Sequence, residues 1–357
     1  MKTISLLTTI AATFVASQTP AIAQDMAPRA GQSPVEAQDY ATDPRLDPQV
    51  RAFLKDFNKD PSPFWTMPQP QPQETLSALQ DKTAVDMSGV STVERTITQG
   101  GHKVKLYIMS PTNVQGKPGV ILFLHGGVWI VGNFHNHQRL LRDLVVGSGQ
   151  VGVFVEYSPL PKAVYPTQIN EAYAALEWTA AHAAEFGADG SRIAVAGNSV
   201  GGGMTAALTL MAKDRKGPKI SYQLLMIPAT DASVDTPSYL AYGKDRFLSR
   251  DFMKYGWDHY VSTTKMRDDR YVSPLRATNE QLRDLPPALV ITAENDPLRD
   301  EGEAYARKLK AAGVSVDAVR YNGTIHDFVL LNALRHVPST EAAIRQAAEG
   351  IRDHLAQ

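Results

Sequence analysis

The sequence predicts an α/β protein whose mostly parallel, doubly wound sheet starts with an antiparallel hairpin and carries a helical cap. First, short apolar runs alternate with segments of helical spacing from about residue 120 onward. Parallel strands need crossover connections, and right-handed helical crossovers cover both faces of a sheet. Second, two segments of period two, joined by residues 99–102, predict the hairpin. Third, a long aromatic and charged interval interrupts the alternation, which favours a helical insertion over the sheet edge.

Composition limits the classes of partner. The 357 residues are 43% hydrophobic, which is enough for a large core, and 36 basic side chains nearly balance 37 acidic ones. A net charge of -1 gives no electrostatic reason to expect nucleic acid or an anionic membrane surface. Because cysteine is absent, disulfides, thiol nucleophiles and thiolate metal sites are excluded. We expect a small-molecule partner, with no nucleic acid and no stable membrane insertion.

The N-terminal segment resembles a targeting signal. Lys2 precedes a mildly apolar run, and Ala21 and Ala23 form the small-x-small pattern of a signal-peptidase site. This pattern predicts a signal peptide over residues 1–23, cleavage after Ala23, and a periplasmic or secreted protein. A membrane anchor is the alternative, but threonines interrupt a run that is too short to span a bilayer. Residues 24–45 lack an apolar period, which predicts a flexible mature N-terminus.

Residues 46–85 precede the predicted hairpin and contain two predicted helices. Apolar residues at helical spacing predict a helix over residues 48–57, and a second short helix is expected over 74–80. Between them, residues 61–72 contain five of the 23 prolines and several large apolar side chains, a composition that we take to exclude helix. Composition favours a surface linker for this stretch, and the wall of a pocket is the alternative.

Residues 86–357 form the predicted catalytic domain, with the cap insertion at about 231–282. Its predicted strands cover residues 93–98, 103–109, 120–124, 151–156, 193–196, 223–227, 289–293 and 315–321. Its predicted helices cover residues 136–146, 167–182, 199–213, 300–312 and 339–355.

The strongest chemical signal is the pentapeptide Gly197-Asn198-Ser199-Val200-Gly201, which fits G-x-S-x-G between a buried strand and a helix. Small residues on both sides of the serine allow a sharp reversal that exposes Ser199 at the positive end of the following helix. Ser199 is therefore the candidate nucleophile. The pentapeptide alone is weak evidence, because a glycine-rich strand-to-helix loop has the same composition.

Two further residues complete a candidate triad. Asp296 leaves the strand over residues 289–293, and His326 follows the last strand. The order Ser, Asp, His, each after a strand, is the order expected on such a sheet. A serine hydroxyl needs an imidazole to accept its proton, and the acid fixes the imidazole tautomer. Glu294 and Asp300 are rival acids, and Asp327 is expected to point elsewhere.

The segment His125-Gly126-Gly127-Val128-Trp129 directly follows a predicted strand. Successive glycines at a strand end let backbone amides point inward at an oxyanion. We expect the oxyanion site at Gly126, Gly127, Val128 and Val200. No metal is expected, because the nearby His135 and His137 are two positions apart and cannot share a helical face.

Together these residues resemble the hormone-sensitive-lipase-like family of α/β-hydrolases, which are esterases with an HGGG-type motif. The resemblance extends from about Leu46 to the C-terminus. It rests on His125-Gly126-Gly127-Val128-Trp129, Gly197-Asn198-Ser199-Val200-Gly201-Gly202, Asp296-Pro297-Leu298-Arg299-Asp300-Glu301-Gly302 and His326-Asp327-Phe328. It implies the α/β-hydrolase fold, a cap built from residues 46–85 and the insertion at about 231–282, and hydrolysis of short to medium acyl esters without a cofactor.

The chain departs from the family pattern at three places. Val128 stands where glycine is usual, and Asn198-Ser199-Val200 replaces the usual Asp-Ser-Ala. Residues 155–161 lack the arginine of the family's V-x-Y-R-L-A-P stretch. Because valine adds bulk beside the scissile ester, these departures indicate an unusual pocket shape.

The sequence thus predicts a serine carboxylesterase that forms an acyl-enzyme on Ser199. An amide or peptide hydrolase is one alternative, because the same triad serves both reactions. A non-catalytic small-molecule receptor on the same fold is another, although retention of His326 argues against it. By analogy with relatives, a homodimer is an option for assembly.

Overall fold

The computed structural model describes residues 39–60, 62–114 and 116–356. The predicted signal peptide and residues 24–38 of the expected flexible N-terminus lie outside this part of the chain. The strands are β1 Val90–Gln99, β2 His102–Pro111, β3 Val120–Leu124, β4 Val151–Glu156, β5 Ile193–Asn198, β6 Tyr222–Met226, β7 Ala288–Asn295 and β8 Val316–Ile325. The helices are α1 Pro48–Phe57, α2 Gln71–Asp81, α3 Phe134–Ser148, α4 Thr167–His182, α5 Val200–Asp214, α6 Pro237–Tyr242, α7 Arg250–Tyr260, α8 Asn279–Leu282, α9 Arg299–Ala311 and α10 Pro338–Leu355.

One eight-stranded sheet organises the fold, with the order β1-β2-β4-β3-β5-β6-β7-β8. β2 pairs antiparallel with β1 and β4, and every other neighbouring pair is parallel. The predicted mostly parallel sheet with an antiparallel start is therefore confirmed. Helices α1, α3 and α10 pack on one face, and α4, α5 and α9 pack on the other. Because both faces are covered, β3 to β6 are nearly continuous apolar runs.

The cap insertion lies between β6 and β7 and is helical, as α6, α7 and α8 show. Helix α7 packs on the residues that follow β3: Trp129 stacks on Tyr260 with ring centroids 3.8 Å apart and meets Trp257 edge-on at 4.6 Å. None of the helices in the described ranges combines the length and the apolar composition that crossing a bilayer requires.

The proline-rich stretch before α2 does not match our expectation. A short 3-10 turn covers Phe64–Thr66, and α2 begins at Gln71 with Pro72 in its first turn, where no backbone N–H is needed. Trp65 stacks on Phe252 of α7 at 4.9 Å between ring centroids. The stretch therefore ends in helix, which we expected its composition to exclude. Phe64 and Trp65 pack against the insertion, whereas most of the other described residues of the stretch are exposed, as a surface segment requires.

The end of the expected flexible N-terminus is also ordered by packing. Asp43 is fully buried, and its carboxylate accepts from Arg246 Nη2 at 2.7 Å. Arg45 contacts the same carboxylate at 2.7 Å. The expectation of flexibility is therefore wrong for residues 39–45, because a buried ion pair anchors them to the loop before α7.

Candidate active site

Ser199 lies at a strained turn between β5 and α5. Its φ of 56° and ψ of -127° fall in a region that L-residues rarely adopt. Its N–H donates to Met226 O at 2.9 Å, and its carbonyl accepts from Ala229 N at 3.0 Å. A Cβ at Gly201 would overlap the backbone oxygens of Leu124 and His125, so only glycine allows this approach of helix and strand.

The structure brings the three predicted triad residues together. His326 Nε2 lies 2.9 Å from Ser199 Oγ, and His326 Nδ1 lies 2.9 Å from Asp296 Oδ2. They come from the ends of β5, β7 and β8, where parallel strands deliver their loops to one edge of the sheet.

The rival acids have other partners in the described part of the chain. The Asp300 carboxylate accepts from Ser238 N at 2.8 Å, and the Glu294 carboxylate accepts from Gly323 N at 2.8 Å. Asp296 is fully buried, and its second oxygen accepts from Leu298 N at 2.8 Å. This second bond fixes the carboxylate that faces the imidazole.

The electrostatic surroundings favour a charged imidazole at His326. Burial alone would lower the pKa of His326, but the nearby carboxylates of Asp296 and Asp327 raise it above its ordinary value. A base whose protonated form is stabilised can hold the proton that a serine hydroxyl loses.

The loop after β3, residues 125–132, supplies the candidate oxyanion amides and is called the oxyanion loop below. Among the described residues, the N–H groups of Gly127 and Val128 have no hydrogen-bond acceptor. Val200 is the first residue of α5, so its N–H has no partner within the helix. Gly126 differs, because its N–H donates to Asn198 Oδ1 at 3.1 Å. The prediction of Gly126 as an oxyanion donor is therefore wrong, and Gly127, Val128 and Val200 remain predictions.

Asp327 was expected to point away and does not. Its φ of 57° turns the chain back, which places its Oδ2 3.7 Å from His326 Nε2. Its Oδ1 accepts from Asn198 Nδ2 at 2.8 Å. The sequence does show that the amide of Asn198 precedes the serine and that the carboxylate of Asp327 follows the histidine. It does not show that the backbone turn at Asp327 brings these two side chains together.

A cavity of about 630 Å³ opens onto Ser199 and His326. Gly127, Val128 and Asp327 line the end beside them. The cavity is also lined by aromatic residues of α1, the proline-rich stretch and the insertion, and by charged residues of α1, the insertion and the C-terminal end of α2. The aromatic residues are Phe57, Phe64, Trp65, Phe247 and Phe252. The alternative interpretation of the proline-rich stretch, as a pocket wall, therefore holds.

Within the described ranges, no three or more His, Cys, Asp or Glu side chains are arranged so that they could hold a metal ion. His135 pairs with Asp81 at 2.8 Å on the surface, whereas His137 is buried. His125 stacks on Tyr157 at 3.9 Å between ring centroids, and burial lowers the pKa of His125 to about 4. A neutral, stacked His125 supports the oxyanion loop by packing.

A strained serine on a strand-to-helix turn, hydrogen-bonded to a histidine and through it to an aspartate on this sheet, defines an α/β-hydrolase. The sequence matches the family described as alpha/beta hydrolase fold over residues 121–330. It is 37% identical to the carboxylesterase NlhH of Mycobacterium tuberculosis over 66% of this chain and 75% of that protein. It is 33% identical to an arylesterase of Saccharolobus solfataricus over 80% of this chain and 92% of that protein.

Solved structures agree with this assignment. A thermostable esterase from Pseudomonas putida superposes with a TM-score of 0.86 and 50% identity, over 87% of this chain and 98% of that chain. The chain belongs to the hormone-sensitive-lipase-like family of α/β-hydrolase esterases. It is an enzyme of the serine ester hydrolase class.

Proposed function

We propose that this protein is a carboxylesterase that hydrolyses short to medium acyl esters through an acyl-enzyme on Ser199. One observation carries the proposal: an unbroken hydrogen-bonded chain joins Asp296, His326 and Ser199, with both distances at 2.9 Å. The esterase names of the relatives support the same reaction class.

In the first half-reaction, Ser199 Oγ attacks the ester carbonyl carbon while His326 Nε2 takes the hydroxyl proton. Asp296 holds the imidazole through Nδ1 and stabilises its charged form. The developing oxyanion accepts from the N–H groups of Gly127, Val128 and Val200, and loss of one such donor costs roughly 3 kcal/mol of barrier. The C–O bond to the alcohol then breaks, and His326 gives its proton to the departing oxygen.

In the second half-reaction, water takes the place of the alcohol. His326 removes a proton from water as its oxygen attacks the acyl carbon, and Ser199 leaves with that proton. The carboxylic acid is released and the enzyme returns to its starting state. The reaction balances with water alone, so the proposal requires no cofactor and no metal.

The cavity supports the substrate class. Its volume of about 630 Å³ lies in the range of small-molecule sites, and five aromatic side chains are among its lining residues. We assign residues 46–85 and about 231–282 to one cap, because Trp65 from the first stacks on Phe252 from the second. Val128 and Ser199 both line the cavity, and a valine in place of the family's usual glycine favours a small group near Ser199.

The test is hydrolysis of p-nitrophenyl esters from acetate to palmitate by the wild type and by Ser199→Ala. We expect activity on the shorter chains, and a fall of roughly 10⁴-fold or more in the variant, because the attacking oxygen is lost. Ser91→Ala, at an exposed serine of β1, is the matched control and should retain wild-type activity.

A folded wild type that hydrolyses none of these esters would contradict the proposal. If such a protein also failed to react with a fluorophosphonate probe at Ser199, a non-catalytic receptor would be favoured instead. Full activity in Ser199→Ala would show that a different residue is the nucleophile.

A further inference from the structure

Asn198 joins three parts of the site. It is the last residue of β5, precedes Ser199 directly and is fully buried. Its Oδ1 accepts from Gly126 N at 3.1 Å, and its Nδ2 donates to Asp327 Oδ1 at 2.8 Å. One side chain therefore contacts the oxyanion loop and the loop after β8, which carries His326 and is called the base loop below.

The two hydrogen bonds run in opposite directions. A backbone N–H can only donate, so Gly126 must face an oxygen, and an ionised carboxylate only accepts, so Asp327 must face a donor. A primary amide offers both groups, and asparagine is the amide of this size. An aspartate at position 198 would keep the bond from Gly126 but would place two carboxylates at hydrogen-bonding distance, which destabilises their charged forms.

The contact with Gly126 is tight. A Cβ at Gly126 would lie 2.7 Å from Asn198 Nδ2 and 3.0 Å from Ser199 Cβ, so the loop can approach the turn this closely only with glycine. Gly127 and Val128 follow directly along the chain. The bond from Gly126 to Asn198 therefore fixes the starting point of the two oxyanion-loop amides among the three that the proposed mechanism uses.

The hydrogen bond from Asn198 to Asp327 fixes the base loop. Asp327 directly follows His326 and adopts the left-handed conformation that Asp and Asn tolerate best among side chains other than glycine. Only 5% of Asp327 is exposed, and this burial raises the pKa of its carboxyl above the ordinary value, although the charge of His326 and the hydrogen bond from Asn198 act to lower it. The amide of Asn198 is thus the neutral partner that this carboxylate requires.

We propose that Asn198 is a positioning residue, which holds the oxyanion loop and the base loop in register with Ser199, and that it depends on Asp327 as its acceptor. Asn198 does not line the cavity, so it acts through Gly126 and Asp327 rather than by contact with substrate. The inference rests on the proposed function, because positioning is measured through ester turnover.

The experiment uses the full-length enzyme with Asn198→Asp, Asp327→Asn and the double variant that exchanges the two residues. Steady-state kinetics with p-nitrophenyl acetate give kcat and KM, and thermal unfolding reports folding. We expect Asn198→Asp to lower kcat by roughly 10- to 100-fold with little change in KM, because it displaces the amides and the imidazole that act in the transition state but not the aromatic residues that line the rest of the cavity. In the double variant, the carboxylate at position 198 accepts from Gly126 N and from the amide at position 327, so kcat should recover at least in part.

The outcomes separate the alternatives. Wild-type kcat in Asn198→Asp would overturn the inference. So would a double variant that unfolds at the wild-type temperature but shows the same low kcat as Asn198→Asp. If Asn198→Asp fails to fold, recovery of both folding and kcat in the double variant supports the proposed dependence of Asn198 on Asp327. The activity of the wild type against Ser199→Ala tests the proposed function separately, whatever happens at position 198.

Discussion

At the scale of single residues, the site is distinguished by two carboxylates that face one imidazole. Asp296 from the loop after β7 contacts His326 Nδ1 at 2.9 Å, and Asp327 from the base loop lies 3.7 Å from Nε2. Ser199 is the remaining partner of the ring. In the proposed mechanism an imidazolium forms on this ring, and the two carboxylates stabilise it from both sides.

The charge on Asp327 gives a pH-dependence that can be measured. The base must be neutral to accept the proton of Ser199, so activity rises as His326 loses its own proton. Asp327→Asn keeps an acceptor for Asn198 but removes one of the two carboxylates that raise the pKa of His326. We expect the acidic limb of the kcat/KM profile to move to lower pH.

The profile should be compared with that of Asp317→Asn, which removes a carboxylate from an exposed position of β8. That control should leave the acidic limb in place. An acidic limb that moves to higher pH in Asp327→Asn, or stays where it is, would contradict the prediction that Asp327 raises the pKa of His326.

Sequence reasoning identified Ser199, Asp296 and His326 because each follows a buried strand, and parallel strands deliver their ends to one edge. It failed at Gly126 and Asp327 for a shared reason. The partner of each is the side chain of Asn198, and a residue spacing does not show where that side chain points. The pairing depends on a left-handed turn at Asp327, which its sequence context does not require.

At the scale of elements, the cap helix α7 is fitted to the oxyanion loop. Gly256 lies within α7, where glycine costs up to about 1 kcal/mol relative to alanine. A Cβ at Gly256 would overlap Val128 Cγ1, whereas it would lie 3.3 Å from Val128 O and 3.5 Å from Val128 Cβ. The glycine therefore makes room for the outer part of the valine side chain.

This fit predicts a dependence between the two positions. Gly256→Ala should lower kcat on the order of tenfold, because overpacking of this size costs roughly 1–3 kcal/mol and pushes on the loop that carries the oxyanion amides. Adding Val128→Ala removes the overlapping methyl group, so the double variant should recover activity toward short esters. Steady-state kinetics across the p-nitrophenyl ester series measure both effects.

Val128→Ala alone is the necessary reference, since loss of the valine should itself widen the range of accepted acyl chains. Equal losses in Gly256→Ala with either residue at position 128 would mean that the two positions do not interact. An unchanged chain-length profile in Val128→Ala would contradict a role of this residue in shaping the cavity.

The elements themselves were largely predictable. The predicted bounds of α1, α4, β3 and β4 match those of the structure, because apolar periodicity and flanking breakers define these segments locally. The packing of the proline-rich stretch was not predictable, because Phe64 and Trp65 contact Phe252, which lies far along the chain. Composition indicated neither this partner nor the start of α2 at Gln71, where Pro72 is tolerated in the first turn.

At the scale of the whole molecule, contacts between residues far apart in the chain join the N-terminal segment to the insertion. Asp43 and Arg246 are paired at 2.7 Å although they lie 203 positions apart. Such a contact follows from the assembled fold and has no local signature, so sequence reasoning assigned residues 39–45 to a flexible terminus. The homodimer and the secreted location stay predictions.

The position of His326 Nε2, 2.9 Å from Ser199 Oγ, leads us to expect that Ser199 is acylated during turnover. The most direct test is to mix the enzyme with p-nitrophenyl acetate, quench with acid within the first turnovers, and map modified peptides by mass spectrometry. We predict an acetyl group on the peptide that contains Ser199 in the wild type and none on the corresponding peptide of Ser199→Ala. Ester hydrolysis that proceeds with no acetylation of Ser199, or with acetylation of another residue on the productive path, would contradict the mechanism.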